Sequence, residues 1–273
     1  MKDSLNTDNL LAKHFPASAH ALVLAATLVL LLFIVNGCRG RADRAKPSDG
    51  THRTEQIESA VIGGRDYTIE WLEDETFDRA DWASRWTVES QTPTVTVQDG
   101  KLMVRRNGAS RDSAGTTIWY NSDLPPDVLI LVDAATQPGD HACNLNFFLH
   151  ASEADGSPLR YGRSGNYPEY HQIPNYIFTF TGGFQSGWSR LRKNPGFELL
   201  HEVDSVRTEP NRAYEIAIVL WKGELRFAVD GKLIHNIVDP EPLDGGRFGL
   251  RTWFSDVDFE RVRIGRIVED VPM

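Results

Sequence analysis

Three apolar runs separated by two glycine turns constrain the fold of this chain most. Residues 214–221 (YEIAIVLW), 224–229 (ELRFAV) and 232–236 (KLIHN) are joined by Lys222-Gly223 and Asp230-Gly231. Short apolar runs rich in β-branched and aromatic residues, interrupted by such dipeptides, predict successive β-strands. This segment therefore predicts a domain built from short strands and tight turns.

The remainder of the chain repeats this pattern. Asp99-Gly100 lies between two apolar runs, which is a strong hairpin signal. No segment longer than about ten residues has helical periodicity. The predicted fold is an all-β jelly-roll sandwich of two antiparallel sheets. The further predicted strands are residues 66–71, 86–89, 94–97, 102–104, 116–120, 127–134, 144–150, 249–254 and 259–267.

Composition limits the class of partner. The chain has 273 residues, a net charge of −9 and a hydrophobic share of 41%. This is enough for one large domain with a proper core. An acidic balance argues against a nucleic-acid partner, which requires a basic surface. Cys143 lies in an apolar run, so we expect it to be a small buried hydrophobe.

The N-terminal region predicts export. Residues 21–35 form an apolar run shorter than the roughly 20 residues of a membrane-spanning helix. The following Val35-Asn36-Gly37-Cys38 resembles a bacterial lipobox, which implies cleavage before Cys38 and a lipid on its thiol. An uncleaved anchor is the alternative. Both place the protein in the bacterial cell envelope, tethered to a membrane on the periplasmic or cell-surface side.

The sequence predicts four regions. Residues 1–37 form the lipoprotein-type signal segment, and residues 38–65 form a polar, flexible tether. The sandwich domain is predicted over residues 66–268, with a short tail at residues 269–273.

Residues 160–195 have an unusual composition of aromatic residues, amides and cations. Such a mixture suits a surface that stacks on sugar rings and hydrogen-bonds to hydroxyls or carboxylates. Within it, residues 175–181 predict a strand with Asn175 and Thr179 on a polar face and Tyr176, Phe178 and Phe180 packed inward. The alternative is that the aromatic residues only close the edge of the sandwich.

The flanking side chains are predicted on loops around a groove. Five cations in this stretch would suit a uronic acid or a sulfated glycan, because the arginine fork matches carboxylate and sulfate. A solvated run of surface charge is the alternative. The candidate ligand-binding residues are Arg160, Arg163, Asn166, Tyr167, Asn175, Thr179, Trp188, Arg190 and Arg192, with Lys193 as the fifth cation.

At this point the chain resembles the concanavalin A-like lectin/glucanase superfamily. The resemblance rests on the opening TFDRADW, the strand–Lys-Gly–strand–Asp-Gly–strand element and the closing FGLRTWFSDVDFERVRI. Within that superfamily, SGNYPEYH and RLRKNPGF resemble a bacterial domain family of unknown function associated with polysaccharide utilisation. The resemblance spans residues 66–268 and implies a jelly-roll fold with a carbohydrate partner.

The sequence predicts a carbohydrate partner but leaves open whether the protein is an enzyme. The Glu-x-Asp-x-x-Glu motif of the superfamily's glucanases is missing; the nearest match, Glu202-Val203-Asp204, has Arg207 at its last position. A lyase needs a base beside a cation that neutralises a uronate. His171, Tyr170 and Glu169 are therefore the candidate catalytic residues. A structural histidine is the alternative.

Metal binding is a weaker hypothesis. Asp256 and Asp258 adjoin the closing strand, and residues 73–75 adjoin the opening one, so oxygen ligands for Ca²⁺ could converge there. Exposed turn carboxylates are the alternative, and no cofactor motif is present in the sequence. The sequence thus predicts a polysaccharide-binding protein that is either a lyase or hydrolase without the glucanase motif, or a non-catalytic carbohydrate-binding or adhesion protein.

Overall fold

A computed structural model of the chain describes residues 57–139, 142–183 and 187–271. These residues form sixteen strands and a single short α-helix, α1 (Trp82–Arg85). The strands are β1 (Ile57–Ile62), β2 (Arg65–Glu75), β3 (Trp86–Ser90), β4 (Thr94–Gln98), β5 (Lys101–Arg105), β6 (Gly115–Tyr120), β7 (Val128–Thr136), β8 (Leu145–Ala151), β9 (Asn175–Thr181), β10 (Trp188–Asn194), β11 (Glu198–Val203), β12 (Ala213–Trp221), β13 (Glu224–Val229), β14 (Lys232–Val238), β15 (Arg247–Trp253) and β16 (Val257–Val271).

The strands form two antiparallel sheets. The nine-stranded sheet runs β1-β2-β16-β7-β12-β13-β14, with β5 also paired to β16 and β4 paired to β5. The seven-stranded sheet runs β11-β10-β9-β8-β15-β6-β3. Residues Tyr167–Gln172 form a 3₁₀ helix between β8 and β9.

The main core lies between the two sheets. Tyr176, Phe178 and Phe180 point inward from β9, and Phe178 stacks on Phe227 of the opposite sheet at 5.6 Å between ring centroids. Burial of these rings removes a large apolar area from water, which is the main favourable term in folding. The alternate residues of β9 therefore project from the outer face of the seven-stranded sheet.

The all-β sandwich of two antiparallel sheets is confirmed. Asp99 and Gly100 have φ angles of 52° and 68°, so the predicted Asp-Gly turn between β4 and β5 has the left-handed backbone that such hairpins require. The predicted central strand is β7, which lies between β16 and β12. Cys143 is buried, as expected.

Two boundaries differ from the prediction. Residues 57–62, assigned to the tether, form β1, which pairs with β2 from Ile57 to Ile62. At the other end β16 continues to Val271, past the predicted boundary at residue 268, because its last residues pair with the start of β2.

The predicted signal segment, Cys38 and residues 38–56 of the tether lie outside the described residues, as do residues 272–273. Within the part of the chain that the structure describes, no helix has the length and apolar character needed to cross a membrane.

Candidate functional site

A pocket of about 260 Å³ lies on the outer face of the seven-stranded sheet. Its floor and walls come from four neighbouring strands and from three segments between strands, and none of the described residues that line it is acidic. The lining residues are Asn144, Asn146, Tyr167, Thr179, Thr181, Trp188, Arg190, Arg192, Phe197, Arg251 and Trp253.

The floor of the pocket is one row of side chains that crosses the sheet. Arg251 on β15 pairs with Asn146 on β8, Asn146 pairs with Thr179 on β9, and Thr179 pairs with Arg190 on β10. Cross-strand partners project from the same face of a sheet about 5 Å apart. Sheet register therefore fixes two arginines, an amide and a hydroxyl in one line.

Arg251 is the most unusual residue of this row. Its side chain is 1% exposed, and it forms no ion pair among the described residues. Nη1 donates to Thr117 Oγ1 at 2.8 Å and to the carbonyl oxygen of Gly165 at 3.0 Å. The buried Nε has no hydrogen-bond partner within the described part of the chain. Burial lowers the pKa of this guanidinium, so the protein holds a cation where it is poorly solvated.

Asn146 complements Arg251 with an acceptor. Its Nδ2 donates to Asn144 Oδ1 at 2.7 Å, while its own buried Oδ1 accepts no hydrogen bond from any described residue. Buried polar atoms are normally paired, so unpaired ones need an explanation such as a ligand. A sugar with a carboxylate and a hydroxyl would satisfy both Arg251 Nε and Asn146 Oδ1.

Two more arginines stand over aromatic rings at the pocket wall. Arg190 lies over Trp188 at 4.2 Å from the ring centroid and forms an ion pair with Glu202. Arg192 lies over Phe197 at 4.0 Å and donates to its carbonyl oxygen at 2.8 Å. Burial, and then the charge of Arg190, lower the pKa of Arg192. The pocket is therefore electropositive within a net-acidic protein.

The sequence placed Trp188, Arg190 and Arg192 on loops, but the structure places them on β10. Their alternation with the inward Ser189 and Leu191 is the strand signal that was missed. Thr179 and Tyr167 also line the pocket, Thr179 from β9 and Tyr167 from the start of the 3₁₀ helix. Five of the nine predicted ligand residues are thus brought together.

The other four lie elsewhere. Arg160 and Arg163 form ion pairs with Asp155 and Glu153, outside the pocket lining. Asn175 is fully buried and its Nδ2 donates to the carbonyl oxygens of residues 170 and 173, so it shapes the turn before β9 rather than facing a ligand. Asn166 is exposed just ahead of the 3₁₀ helix.

The candidate catalytic residues are not assembled at the pocket. Tyr170 is fully buried and donates to Glu89 Oε2 at 2.8 Å; burial, and then Glu89, raise its pKa. Glu169 accepts from the backbone N–H of Ser164 at 2.9 Å and from its hydroxyl. Both residues serve to hold the loop in place, which a reading of the local sequence could not show.

His171 lies behind the pocket wall. Its ring stacks on Phe197 at 3.9 Å and meets the edge of Tyr167 at 4.4 Å, and its buried Nε2 has no partner among the described residues. Burial, with the charges of Arg251 and Arg192, lowers the pKa of His171 to about 4. It is therefore neutral near pH 7 and is not among the residues that line the pocket.

The carboxylates considered for Ca²⁺ are bound to arginines. Asp256 pairs with Arg106 at 3.0 Å and Asp258 pairs with Arg105 at 2.6 Å. Residues 73–75 pair with β16 further along, at residues 262–264, so the two acidic groups do not converge. The described residues contain no group of three or more His, Cys, Asp or Glu side chains that could hold a metal ion.

The two facing antiparallel sheets form a concanavalin A-like β-sandwich, and the polar pocket lies on the outer face of one of them. The chain belongs to the family described as Domain of unknown function (DUF6250), whose model matches residues 111–262. That range contains every residue that lines the pocket. A search of curated proteins found no match to the sequence.

Solved structures share the fold at low sequence identity. A protein of unknown function with a galectin-like fold from Bacillus subtilis is 19% identical with a TM-score of 0.62, over 73% of this chain and 97% of that one. The endo-β-1,3-glucanase from Pyrococcus furiosus is 12% identical with a TM-score of 0.53, over 78% and 99%. The Emp46p carbohydrate recognition domain is 11% identical with a TM-score of 0.51, over 71% and 94%. The expected resemblance to lectins and glucanases is confirmed at the level of fold.

Proposed function

We propose that this domain binds an acidic saccharide in the pocket on the seven-stranded sheet. The observation that carries the proposal is Arg251, a buried guanidinium in the pocket lining whose Nε has no partner among the described residues. The Nε and Nη2 edge of an arginine is a fork that matches a carboxylate or sulfate. Trp188 and Trp253 supply apolar surface for the sugar ring.

Several features of the pocket support binding over hydrolysis. Glycosidases flank the scissile bond with two carboxyl groups, and no described lining residue has one. Two carboxylates close to the arginines of the pocket already have partners. Glu202 pairs with Arg190, and Glu89 accepts from four donors. A carbohydrate recognition domain and a glucanase share this fold, and this likeness supports a saccharide partner.

The proposal is tested by calorimetry with glucuronate and galacturonate against glucose and galactose. We expect the wild-type protein to bind an acidic sugar and not its neutral counterpart. Arg251→Met keeps the apolar stem and removes the charge, so binding should weaken by roughly 10- to 100-fold, as expected for a charged hydrogen bond. Arg261→Met, an exposed arginine on the other sheet, is the matched control. Equal binding of neutral sugars, or an unaffected Arg251→Met variant, would contradict the proposal.

A lyase reaction in the same pocket is the second candidate, favoured by the position of Tyr167. Its ring lines the pocket, 4.7 Å from Arg251 Cζ. Arg251 would neutralise a uronate and so acidify the carbon-bound proton next to the carboxyl group. Tyr167, in its ionised form, would take that proton, the bond between the next ring carbon and the glycosidic oxygen would break, and the tyrosine would pass the proton to the leaving oxygen, which leaves an unsaturated uronate. Ultraviolet absorbance that appears with wild-type protein but not with Tyr167→Phe would establish this reaction; binding without absorbance would exclude it for the polymer tested.

We further propose that the domain is exported and tethered to the bacterial cell envelope through a lipid on Cys38, with binding on the periplasmic or cell-surface side. The apolar run before Cys38 supports this proposal. Detergent-phase partitioning and metabolic labelling with a fatty acid should both be lost in Cys38→Ala. Labelling that persists in this variant would contradict lipidation at Cys38.

A further inference from the structure

A loop covers part of the outer face of the seven-stranded sheet. Leu159, Tyr170 and Ile173 of this covering segment (residues 159–173) pack with the sheet residues Trp119 and Phe148 in a buried apolar cluster. The cluster makes the covering segment a fixed part of the domain. One wall of the pocket is therefore rigid.

Glu89 holds the covering segment to the sheet. Its buried Oε1 accepts from the backbone N–H groups of Gly162 and Arg163 at 2.8 and 2.9 Å. Its Oε2 accepts from Trp119 Nε1 and from the Tyr170 hydroxyl, both at 2.8 Å. A carboxylate with four hydrogen bonds is fully satisfied, so it binds the loop rather than a ligand.

The covering segment closes the pocket beside Arg251. A Cβ on Gly115 of β6 would collide with the carbonyl oxygen of Gly165, and a Cβ on Gly165 would lie 3.0 Å from the carbonyl oxygens of Glu89 and Gly115. Only glycines allow backbones to approach this closely. The Gly165 carbonyl oxygen also accepts from Arg251. Toward β6 and β3, the covering segment therefore occupies the outer face of the sheet beside Arg251.

The side of the pocket at β10 is not covered by this segment. Trp188 and Arg190 on β10 border it, and the next strand, β11, is the edge of the sheet. No described residue of β11 lines the pocket, and Glu198, Leu199 and Glu202 on this strand are exposed. The volume of about 260 Å³ lies just below the range of drug-sized ligand pockets, which starts at roughly 300 Å³. This space fits about one sugar ring.

We infer that the pocket receives the end of a saccharide chain, with the terminal acidic residue against Arg251 and the remainder leaving across β10 toward β11. This inference rests on the proposed function. A groove open at both ends would accept an internal segment, whereas a site closed by Gly165 admits only a terminal residue. The ligand class is thus a saccharide with an acidic sugar at its end.

The first experiment counts binding sites on polyuronates. Polygalacturonate, alginate and a glucuronan are each hydrolysed to three average lengths and titrated into the wild-type protein at equal uronate mass. Chain-end binding predicts that the moles of protein bound per gram double when the average length is halved. A capacity per gram that does not depend on length would overturn the inference.

The second experiment measures competition. A methyl uronoside carries a single acidic ring, and it should displace the corresponding fragment with an affinity within about tenfold of that of the fragment, since one ring supplies most contacts. Competition that requires several linked residues would overturn chain-end binding.

The two proposals fail in distinguishable ways. If capacity follows total uronate and Arg251→Met still weakens binding by at least tenfold, the chain-end inference is wrong and the proposed function stands. If none of the three polymers, their fragments or the uronosides binds, both are wrong.

Discussion

Acid should destabilise this domain through a histidine pair below the pocket strand β10. His235 Nε2 lies 2.8 Å from Ser189 Oγ, and His235 Nδ1 lies 2.7 Å from His201 Nδ1. Ser189 Oγ donates to the Thr179 carbonyl oxygen at 3.0 Å, so it accepts from His235 Nε2–H. The neutral His235 ring then accepts from His201 Nδ1–H. A second proton on His235 would lie on Nδ1 and face the N–H group of His201, so the hydrogen bond between the two rings would be lost.

The magnitude follows from the burial of His235. Its side chain is 0% exposed, and burial, with a smaller contribution from His201, lowers its pKa from 6.5 to about 4. The unfolded chain therefore binds a proton that the folded chain does not. The free energy of unfolding decreases as the pH is lowered from about 6.5 to about 4. At about 1.4 kcal/mol for each pH unit, the full loss is on the order of 3 kcal/mol, of which about 2 kcal/mol falls between pH 7.5 and 5.0.

Urea unfolding at pH 7.5, 6.5, 5.5 and 5.0 measures this loss. His235→Asn removes the titrating group, so its free energy of unfolding should fall by about 2 kcal/mol less than that of the wild type over this range. Ser189→Ala is the matched control, because it disturbs the same contact but keeps the imidazole and hence the pH dependence. A His235→Asn variant with the full wild-type pH dependence would refute the reasoning.

The pocket and its covering segment give three more tests. Glu89→Ala leaves four donors without an acceptor and should lower the free energy of unfolding, measured in urea, by roughly 3 kcal/mol or more. The control Glu209→Ala, at an exposed residue, should change it by less than about 0.5 kcal/mol. Equal effects of the two substitutions would contradict the role of Glu89. Arg192→Ala should weaken uronate binding about tenfold in calorimetry, and an unchanged Kd would place the ligand elsewhere. Raising the ionic strength from about 0.05 to 0.5 M should weaken uronate binding because salt screens charge; insensitivity to salt would exclude an ionic contact.

Most of the fold could be predicted from the sequence because its strands and turns are specified by neighbouring residues. Asp99-Gly100 and Asp230-Gly231 specify turns within four residues, and the alternation in residues 175–181 identifies the inward face of β9. β10 was not predicted because its outward residues are Trp188, Arg190 and Arg192, which resemble a polar loop. Their alternation with Ser189 and Leu191 carried the strand signal.

The pocket could be predicted only in part, because it is formed by residues that are far apart in the sequence. Arg160 and Arg163 look like ligands when the sequence alone is considered, but acidic residues within about ten positions pair with them. Arg251 looks like an ordinary strand residue. Its role arises from Asn146 and Thr117, which sheet register places on either side of it. No local pattern encodes such a neighbourhood.

The stability cost of Arg251 itself argues for a ligand. Burying a guanidinium without a carboxylate is unfavourable, and apolar residues of similar volume often leave a protein equally or more stable, by roughly 1–4 kcal/mol. A bound anion would offset this cost only in the wild-type protein. A uronate at about 100 times its wild-type Kd should therefore stabilise the wild type by about 2.7 kcal/mol, and Arg251→Met, which binds it 10- to 100-fold more weakly, by only about 0.4–1.4 kcal/mol. Urea unfolding with and without the sugar measures both, and equal stabilisation of the two proteins would show that the anion binds away from Arg251.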